Sequence, residues 1–447
     1  MRYFFTLLLA ITLLPSFVKG QALNAKAESN WWSVCNNSTI DKLLSCAMEN
    51  NHDVITAANN ILLARSSWRA SQGGFYPSIS LNAGYISEKT SRGITDVDKR
   101  DQIGEVTINA TWEIDIFGSI RHEAQNKKAL YVASEMQYNS VMISLCGQII
   151  EEYCKLRALQ TQLNIAIQNR NSQQAITQLT EDKFQNGLVT ALDAAQAKSL
   201  LLQTQATIPG IEYSITEQIN TLKTLANISD KELLEELRTS TLLDNPPAIL
   251  YNGVNADVIR NRPDIKQAEA ELKALTHAAG AAKADYWPKF LITAQFGYGS
   301  HQFSHLTEYE NMVWQVEPAI KWNIFSGRET TQAKRAAIIQ IDEGVNSLNK
   351  VISNALQDIE NCLSDIKATK EQYVATVAAV QQLQTTYNLA QNLYKEGLTD
   401  YQNVMSAQKS LLSAQESCVN LQLALWQATA ALYVATGGGW NLNLEQQ

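Results

Sequence analysis

Proline is scarce and oddly placed. Eight prolines stand in 447 residues, none lies between Pro77 and Pro209, and none follows Pro318. Because proline breaks helices, these gaps leave room for helices of unusual length. Cysteine is nearly as sparse. Cys35, Cys46, Cys146, Cys154, Cys362 and Cys418 contain no Cys-x-x-Cys pair, so no zinc site is indicated. Histidine is limited to His52, His122, His277, His301 and His305, none in a Ser/His/Asp or metal-ligand motif. His301 and His305 flank "QFS" in an expected solvated loop, with metal binding there as the alternative. No glycine-rich phosphate loop exists: "TGGGW" at Thr436–Trp440 lacks the lysine and helix that should follow, and reads as a helix stop. Lys+Arg 36 against Asp+Glu 44 leaves a net charge of −8, which argues against a nucleic-acid surface. The only apolar run near membrane length is N-terminal, and mean hydropathy is −0.19, so a helical membrane bundle is excluded. No enzyme is indicated, and no catalytic residue, cofactor or metal is expected.

What remains is a chain that is 45% hydrophobic and 18% charged, able to bury a large core. Length alone suggests about three domains. Met1–Gly20 reads as a secretory signal, with Arg2 as basic flank, Phe4–Leu14 as apolar stretch and Val18-Lys19-Gly20 near the cleavage point. An uncleaved anchor is the alternative, weakened by Pro15. Loss of Arg2 and Lys19 makes the mature charge 34 − 44 = −10. No cysteine stands at that cleavage point to carry lipid. In an exported chain Cys35 and Cys46 are near enough in sequence to pair, or both serve as small apolar residues. Cys146 and Cys154, about 12 Å apart along one helix, cannot bridge.

A displacement of about 210 residues aligns the two halves of the chain. "FQNGLVTALDAAQAKSLLLQTQ" from Phe184 lies on "YKEGLTDYQNVMSAQKSLLSAQ" from Tyr394, with Gly187 on Gly397 and Leu188 on Leu398. "FYPSISLNAGY" from Phe75 lies on "YWPKFLITAQF" from Tyr286, and "TWEIDIFGSIR" from Thr111 on "KWNIFSGR" from Lys321. The division is a first repeat over 21–235 and a second over 236–447, each with a helix, two strands, a very long helix, a turn and a helix. Strands are expected at about 78–87, 106–117, 290–299 and 313–325. Val106, Ile108, Ala110, Trp112, Ile114 and Ile116 alternate with Thr107, Asn109, Thr111, Glu113 and Asp115; Trp314, Val316, Pro318, Ile320, Trp322 and Ile324 alternate with polar partners likewise. Period two puts one face in an apolar medium and the other in water. Trp112, Ile114, Trp314, Trp322 and Ile324 are therefore expected to face lipid, and Glu113, Asp115, Glu317 and Lys321 a hydrated lumen. A soluble sandwich with one wet face is the alternative. Four strands cannot close a barrel, so several chains must pool them; three would give twelve strands.

Long helices are expected at about 123–185 and 190–227, then 329–395 and 400–435. The longest is about 100 Å at 1.5 Å per residue. Val345, Leu348, Ile352, Ala355, Ile359, Cys362 and Ile366, then Tyr373, Val380, Leu383, Tyr387, Ala390 and Tyr394, step by threes, fours and sevens along a coiled-coil seam. Gly187 and Gly397 suit tight helix–helix turns. Arg262 and Asp264 flank Pro263 at a helix start, where the carboxylate suits the helix dipole. A rod of this length, joined to membrane strands in an exported protein, suits a channel carried through the periplasm.

These features resemble the TolC-type outer-membrane factors, nearest the OprM/NodT-like branch, from about Trp32 to Trp440. The marks are "WEIDIFGSIR" at Trp112–Arg121, "RNRPDIKQAEAEL" at Arg260–Leu272, "AAKADYWPKF" at Ala281–Phe290 and "TGGGW". The resemblance implies a mainly α fold with a membrane β-barrel: a homotrimer with a twelve-stranded barrel in outer-membrane lipid above an α-helical periplasmic tunnel. It implies a passive exit duct for small molecules (drugs, toxic compounds or metals), docked on a periplasmic adaptor, or membrane fusion protein, and an inner-membrane pump of the resistance-nodulation-division type. The family's acidic tip ring is matched by Asp193, but the equivalent of Asp193 in the second half is Asn403, and Ser406 replaces a further acid; Asp400 lies nearby. Asp193, Tyr394, Asp400 and Asn403 are the expected periplasmic gate, and Gly187, Leu188, Gly397 and Leu398 the expected adaptor-docking turns. A duct for type I protein secretion and a non-porous coiled-coil rod are the alternatives.

Overall fold

The computed structural model describes residues 37–89, 100–239, 241, 243 and 259–438. The Met1–Gly20 segment, Cys35 and Trp440 lie outside them. Helices α1 (Ser38–Asn50) and α2 (His52–Gln72) meet at Asn51, which ends the first and caps the second. Its Oδ1 accepts from the N–H groups of Asp53 and Val54 at 2.8 and 3.2 Å, satisfying two donors that the helix start leaves free. Strands β1 (Ser78–Lys89) and β2 (Arg100–Ile114) follow, then α3 (Ser119–Gln185), α4 (Ala191–Leu225) and α5 (Lys231–Arg238). The second half repeats the order with α6 (Pro263–Ala284), β3 (Lys289–Ser300), β4 (Met312–Lys321), α7 (Glu329–Lys395) and α8 (Tyr401–Ala435).

Helices α3 and α7 are both 67 residues long, about 100 Å, while α4 and α8 are both 35. Each long helix ends at a glycine in the left-handed region, Gly187 at φ +70° and Gly397 at φ +76°. Leu188 N–H donates to Lys183 O at 2.8 Å and Gly187 N–H to Phe184 O at 2.9 Å; Leu398 and Gly397 repeat both bonds to Leu393 and Tyr394. This pairing satisfies the last carbonyls and turns the chain back within a few residues. Pro209 sits inside α4 without ending it.

Beside each long helix two shorter ones stand end to end. In the first half α2 lies along the sheet-proximal part of α3, where Trp68 stacks on Tyr131 at 5.7 Å, and α4 returns along its far part. In the second half α6 and α8 do the same for α7. The largest core forms where these pieces meet, with Leu43, Leu44, Ile149, Leu156, Leu222 and Leu237 fully buried. Cys146 and Cys154 are packed into it, and burial pushes the Cys146 thiol up to about 12, so it behaves as an apolar filler. Cys46 is a free, half-buried thiol.

The sheet is antiparallel in the order β1-β2-β3-β4, with β1 and β4 as open edges. Strand β2 starts earlier than its alternation suggested and stops at Ile114, before Asp115, Ile116 and Phe117; β4 stops at Lys321, before Trp322 and Ile324. Pro318 sits on an edge strand, where its missing N–H is tolerated.

Candidate channel surfaces: sheet faces and helix tips

Cross-strand register sorts the sheet residues into two faces. Leu81 pairs Ile108, which pairs Phe296, which pairs Trp314; Ile79 pairs Ala110, Ala294 and Val316 in the same way. Trp112 lines up with Ile292 and Pro318, and Ile114 with Phe290 and Ile320. Directly paired residues share a face, so one side is apolar across all four strands. It is bare: Ile79 is 72% exposed, Trp314 69% and Ile320 67%. A bare face of this size on a protein surface marks a contact with something apolar.

The opposite face pairs Asn109 with Gln295 and Gln315, Thr111 with Thr293 and Glu317, and Glu113 with Leu291 and Ala319. Gln295 Nε2 donates to Glu105 Oε1 at 3.0 Å and Gln315 Nε2 to Glu317 Oε2 at 3.2 Å. Lys289 Nζ lies 3.5 Å from Glu113 and 3.4 Å from Asp285. Glu113 and Glu317 thus stand on the polar face, as does Lys321 at the end of β4. Asp115 does not belong to the strand. Its carboxylate accepts from the N–H groups of Ile120 and Arg121 at 3.2 and 2.8 Å, a cap on the start of α3.

Where the sheet joins the helices, the two halves share one bracket. Trp112 Nε1 donates to Phe75 O at 3.1 Å, and Trp322 Nε1 to Tyr286 O at 3.3 Å. Phe117 stacks on Trp287 at 5.3 Å, and Tyr76 and Phe325 are exposed nearby in sequence. Aromatic rings with one polar end collect where apolar and aqueous media meet. Trp322 and Ile324 lie just past β4, 55% and 83% exposed. The indole donors were not foreseen from sequence, although the repeat alignment set both tryptophans in register.

The far end carries the second set of residues. Asp193 closes a capping box: its Oδ2 accepts from Thr190 N–H at 3.0 Å and from Thr190 Oγ1 at 2.7 Å, while its own N–H donates to Thr190 Oγ1 at 3.2 Å. In the second half Asp400 takes the place of Thr190 and Asn403 that of Asp193. Asp400 forms no side-chain cap, and Asn403 Nδ2 donates to Thr399 Oγ1 at 2.8 Å. Phe184 and Tyr394 occupy matching positions with opposite fates, 45% and 2% exposed. Tyr394 lies inside the chain: its hydroxyl donates to Thr180 Oγ1 at 3.0 Å, and its ring meets Tyr401 edge-on at 5.9 Å.

Lys183, which sequence reading passed over, ties the two hairpins together. Its Nζ donates to Tyr394 O at 2.5 Å and Lys395 O at 3.2 Å, and sits 4.6 Å from the Tyr394 ring centroid. The ammonium satisfies two carbonyls at the negative end of α7. Tyr387, Tyr394, Tyr401, Val404 and Ile176 form a cluster drawn from both halves. Burial, with Tyr394, Tyr387 and Asp193 close by, pushes the Tyr401 phenol up to about 12. The turn residues Leu188 and Leu398 are 71% and 73% exposed beyond the cluster.

A family model described as outer membrane efflux protein matches residues 43–227 and 256–438. The pyoverdine export outer membrane protein OpmQ of Pseudomonas putida is 26% identical over 433 residues, covering 95% of this chain and 91% of that protein. The solvent efflux pump outer membrane protein SrpC of Pseudomonas putida is 29% identical over 407 residues, covering 90% and 86%. Among solved structures, the outer-membrane channel OprN superposes with a TM-score of 0.87 at 26% identity, covering 94% of both chains. The CmeC outer membrane channel of Campylobacter jejuni shares the fold, with a TM-score of 0.87 at 20% identity over 96% of this chain and 92% of that one.

Proposed function

Because the chain belongs to the outer membrane efflux protein family, we propose that it is the exit duct of a tripartite efflux system, carrying small molecules passively across the periplasm and outer membrane. The observation that carries this reading is the four-stranded sheet with one bare apolar face, one polar face and two open edges, at the end of helices about 100 Å long. An unpaired strand edge in hydrocarbon costs several kcal/mol per peptide group, so β1 and β4 must pair with β4 and β1 of neighbouring copies. Three copies give a twelve-stranded barrel with Glu113, Glu317 and Lys321 lining water, and Trp112, Ile114 and Trp314 facing lipid.

In this reading the helix tips are the periplasmic gate. Asp193 and Asn403 hold the starts of the return helices, Asp400 adds charge beside them, and Tyr394 with Lys183 bolts one hairpin to the other. Gly187, Leu188, Gly397 and Leu398 form the surface offered to a periplasmic adaptor, which couples the duct to an inner-membrane pump of the resistance-nodulation-division type. The relatives' roles in pyoverdine and solvent export support small-molecule cargo. The test is native mass spectrometry of protein extracted from outer membranes, with single-channel recording of the same sample. A trimer that conducts supports the reading; a monomer, or an oligomer without conductance, removes it.

A further inference from the structure

We propose that the helix turns nearest the sheet form a basic collar that holds anionic phospholipid headgroups in the periplasmic leaflet of the outer membrane, with Arg69, Lys128 and Lys334 as its contacts. This rests on the reading of the sheet as part of a membrane barrel.

Charge is spread unevenly along the chain. The whole sequence carries −8, yet the turns nearest the sheet are basic. Segments 62–72 of α2, 119–129 of α3, 274–284 of α6 and 329–339 of α7 hold eight Lys or Arg against two acids, 8 − 2 = +6. After Asp53 no acidic residue follows until Glu88. The aspartates next to the sheet are already engaged: Asp115 caps α3, and Asp285 lies against Lys289 and Ser119 Oγ. Among the described residues, no carboxylate lies within ion-pair distance of Arg69, Lys128 or Lys334.

Each half sets one of these cations on an aromatic ring. Lys128 Nζ lies 5.5 Å from the Trp68 ring centroid, and the exposed Arg69 is the next residue to Trp68. Lys334 Nζ lies 5.8 Å from the Tyr286 ring centroid, and the Tyr286 hydroxyl is 2.6 Å from Thr331 Oγ1. The indole bonds reach the same segments, from Trp112 to Phe75 O just past α2 and from Trp322 to Tyr286 O. The collar thus begins where the apolar side of the sheet ends. Trp68 lies four residues, about 6 Å, before the end of α2, and Lys334 five residues, about 8 Å, after the start of α7. A headgroup layer is about 5–8 Å deep, so both cations stand at headgroup depth. A lysine stem laid along a ring with its ammonium in water is how the side chain anchors at that depth.

Closure of the barrel sharpens the need for an anion. The strand order β1-β2-β3-β4 runs into α2, α3, α6 and α7 in the same order. Pairing β4 with β1 of the next copy therefore sets Lys334 and Arg335 of α7 beside the arginines of the neighbour's α2. Arg65 lies near Glu135, which leaves Arg69 as the uncompensated charge on that helix. Cations gathered in this way repel one another unless an anion stands between them, and a phosphodiester offers acceptor oxygens to both sides. A phosphate that carries acyl chains fits better than a free one, because the apolar sheet face above takes the chains.

The test is native mass spectrometry of the detergent-extracted oligomer, titrated with phosphatidylglycerol or phosphatidylcholine of the same acyl chains, with the same sample recorded in planar bilayers. Phosphatidylglycerol should be retained in preference. Each of Arg69→Gln, Lys128→Gln and Lys334→Gln should weaken that retention about fivefold. Lys128→Arg should keep it, as should Lys367→Gln, far down α7. Equal retention of the two lipids overturns the proposal, and so does an undiminished preference in all three Gln variants of the collar. Loss of the preference in Lys367→Gln, or release of phosphatidylglycerol by an equal concentration of inorganic phosphate, overturns it too, since the first means overall charge and the second a free-anion site. An oligomer that conducts without preferring phosphatidylglycerol leaves the duct intact and removes only the collar. One that does not conduct removes the duct, and the collar with it.

Discussion

Helices α3 and α7 descend from the same half-chain pattern, have the same length and end in the same turn. Yet α3 buries 24 of its residues within the chain and α7 only six. The difference lies in neighbours. Helix α3 is enclosed by α2, α4, α6 and α8, whereas α7 packs along its length on α6 and α8 and reaches α3 near its end, through Tyr387 and Tyr394. Seam residues such as Ile352, Leu383 and Ala390 are half-buried, while Val345, Leu356, Val374 and Leu389 stay exposed. One helix is therefore an internal mast and the other an outer wall. An apolar wall that its own chain leaves open marks a contact surface, which in the proposed trimer a second copy covers.

The largest effect should come from the mast. Leu156→Ala empties a fully buried site and should cost about 2–5 kcal/mol in stability, read as a lower denaturation midpoint. Leu356→Ala, on the exposed side of α7, should leave that midpoint almost unchanged and weaken the oligomer instead. Equal losses in both variants would break the comparison.

Next comes the bolt between the two hairpins. Lys183→Ala removes two charge-assisted bonds and a cation–ring contact, and should raise open probability about tenfold or more, since a net loss of about 1.4 kcal/mol already suffices for a factor of ten. Asp193→Ala, which loses a capping box, should cost about 1 kcal/mol of helix stability and raise conductance less. Hydrogen exchange confined to the tip segments would place both effects; unchanged exchange in Lys183→Ala would clear Lys183 of the role.

The brackets under the sheet come third. Trp112→Phe and Trp322→Phe each lose one indole hydrogen bond, and each should destabilise by about 1 kcal/mol. Matching losses, measured by thermal dissociation of the oligomer, would mean that the sheet ends are equivalent even though the long helices are not.

The smallest effect is one of pH. Burial, the neighbouring His122 and Lys273 all hold the His277 imidazole below its usual value. The unfolded chain therefore takes up a proton that the folded chain resists, so stability present above about pH 6.5 is lost as pH falls below it. Since His122 belongs to α3 and His277 to α6, the loss falls on the mast. The melting temperature of His277→Gln should fall less between pH 7.5 and about 5.5 than that of the unaltered protein.

The long helices were legible because periodicity and the absence of proline persist over dozens of residues; the ends at Gln185 and Lys395 follow from the glycines two residues on. The sheet faces were legible for the same reason, since alternation at Val106–Ile114 is a local property. The strand ends were not. Asp115 and Trp322 continue the alternation by residue type, but the chain has already left the sheet to start a helix or reach a carbonyl. Tyr394 was singled out for a gate, yet its burial depends on Thr180 and Lys183, more than 200 residues away. Arg262 was legible as a helix start, but not as a donor to Ala435.

Sequence alone determined the repeat, the element types and the two-sided chemistry of the strands, because each arises from spacing within a few turns or one pleat. Tertiary structure decided which of two matching helices is enclosed, which of Phe184 and Tyr394 is hidden, and which cap became a charged joint. Those outcomes depend on what lies across the bundle, and pseudo-equivalent positions in one chain need not meet equivalent neighbours.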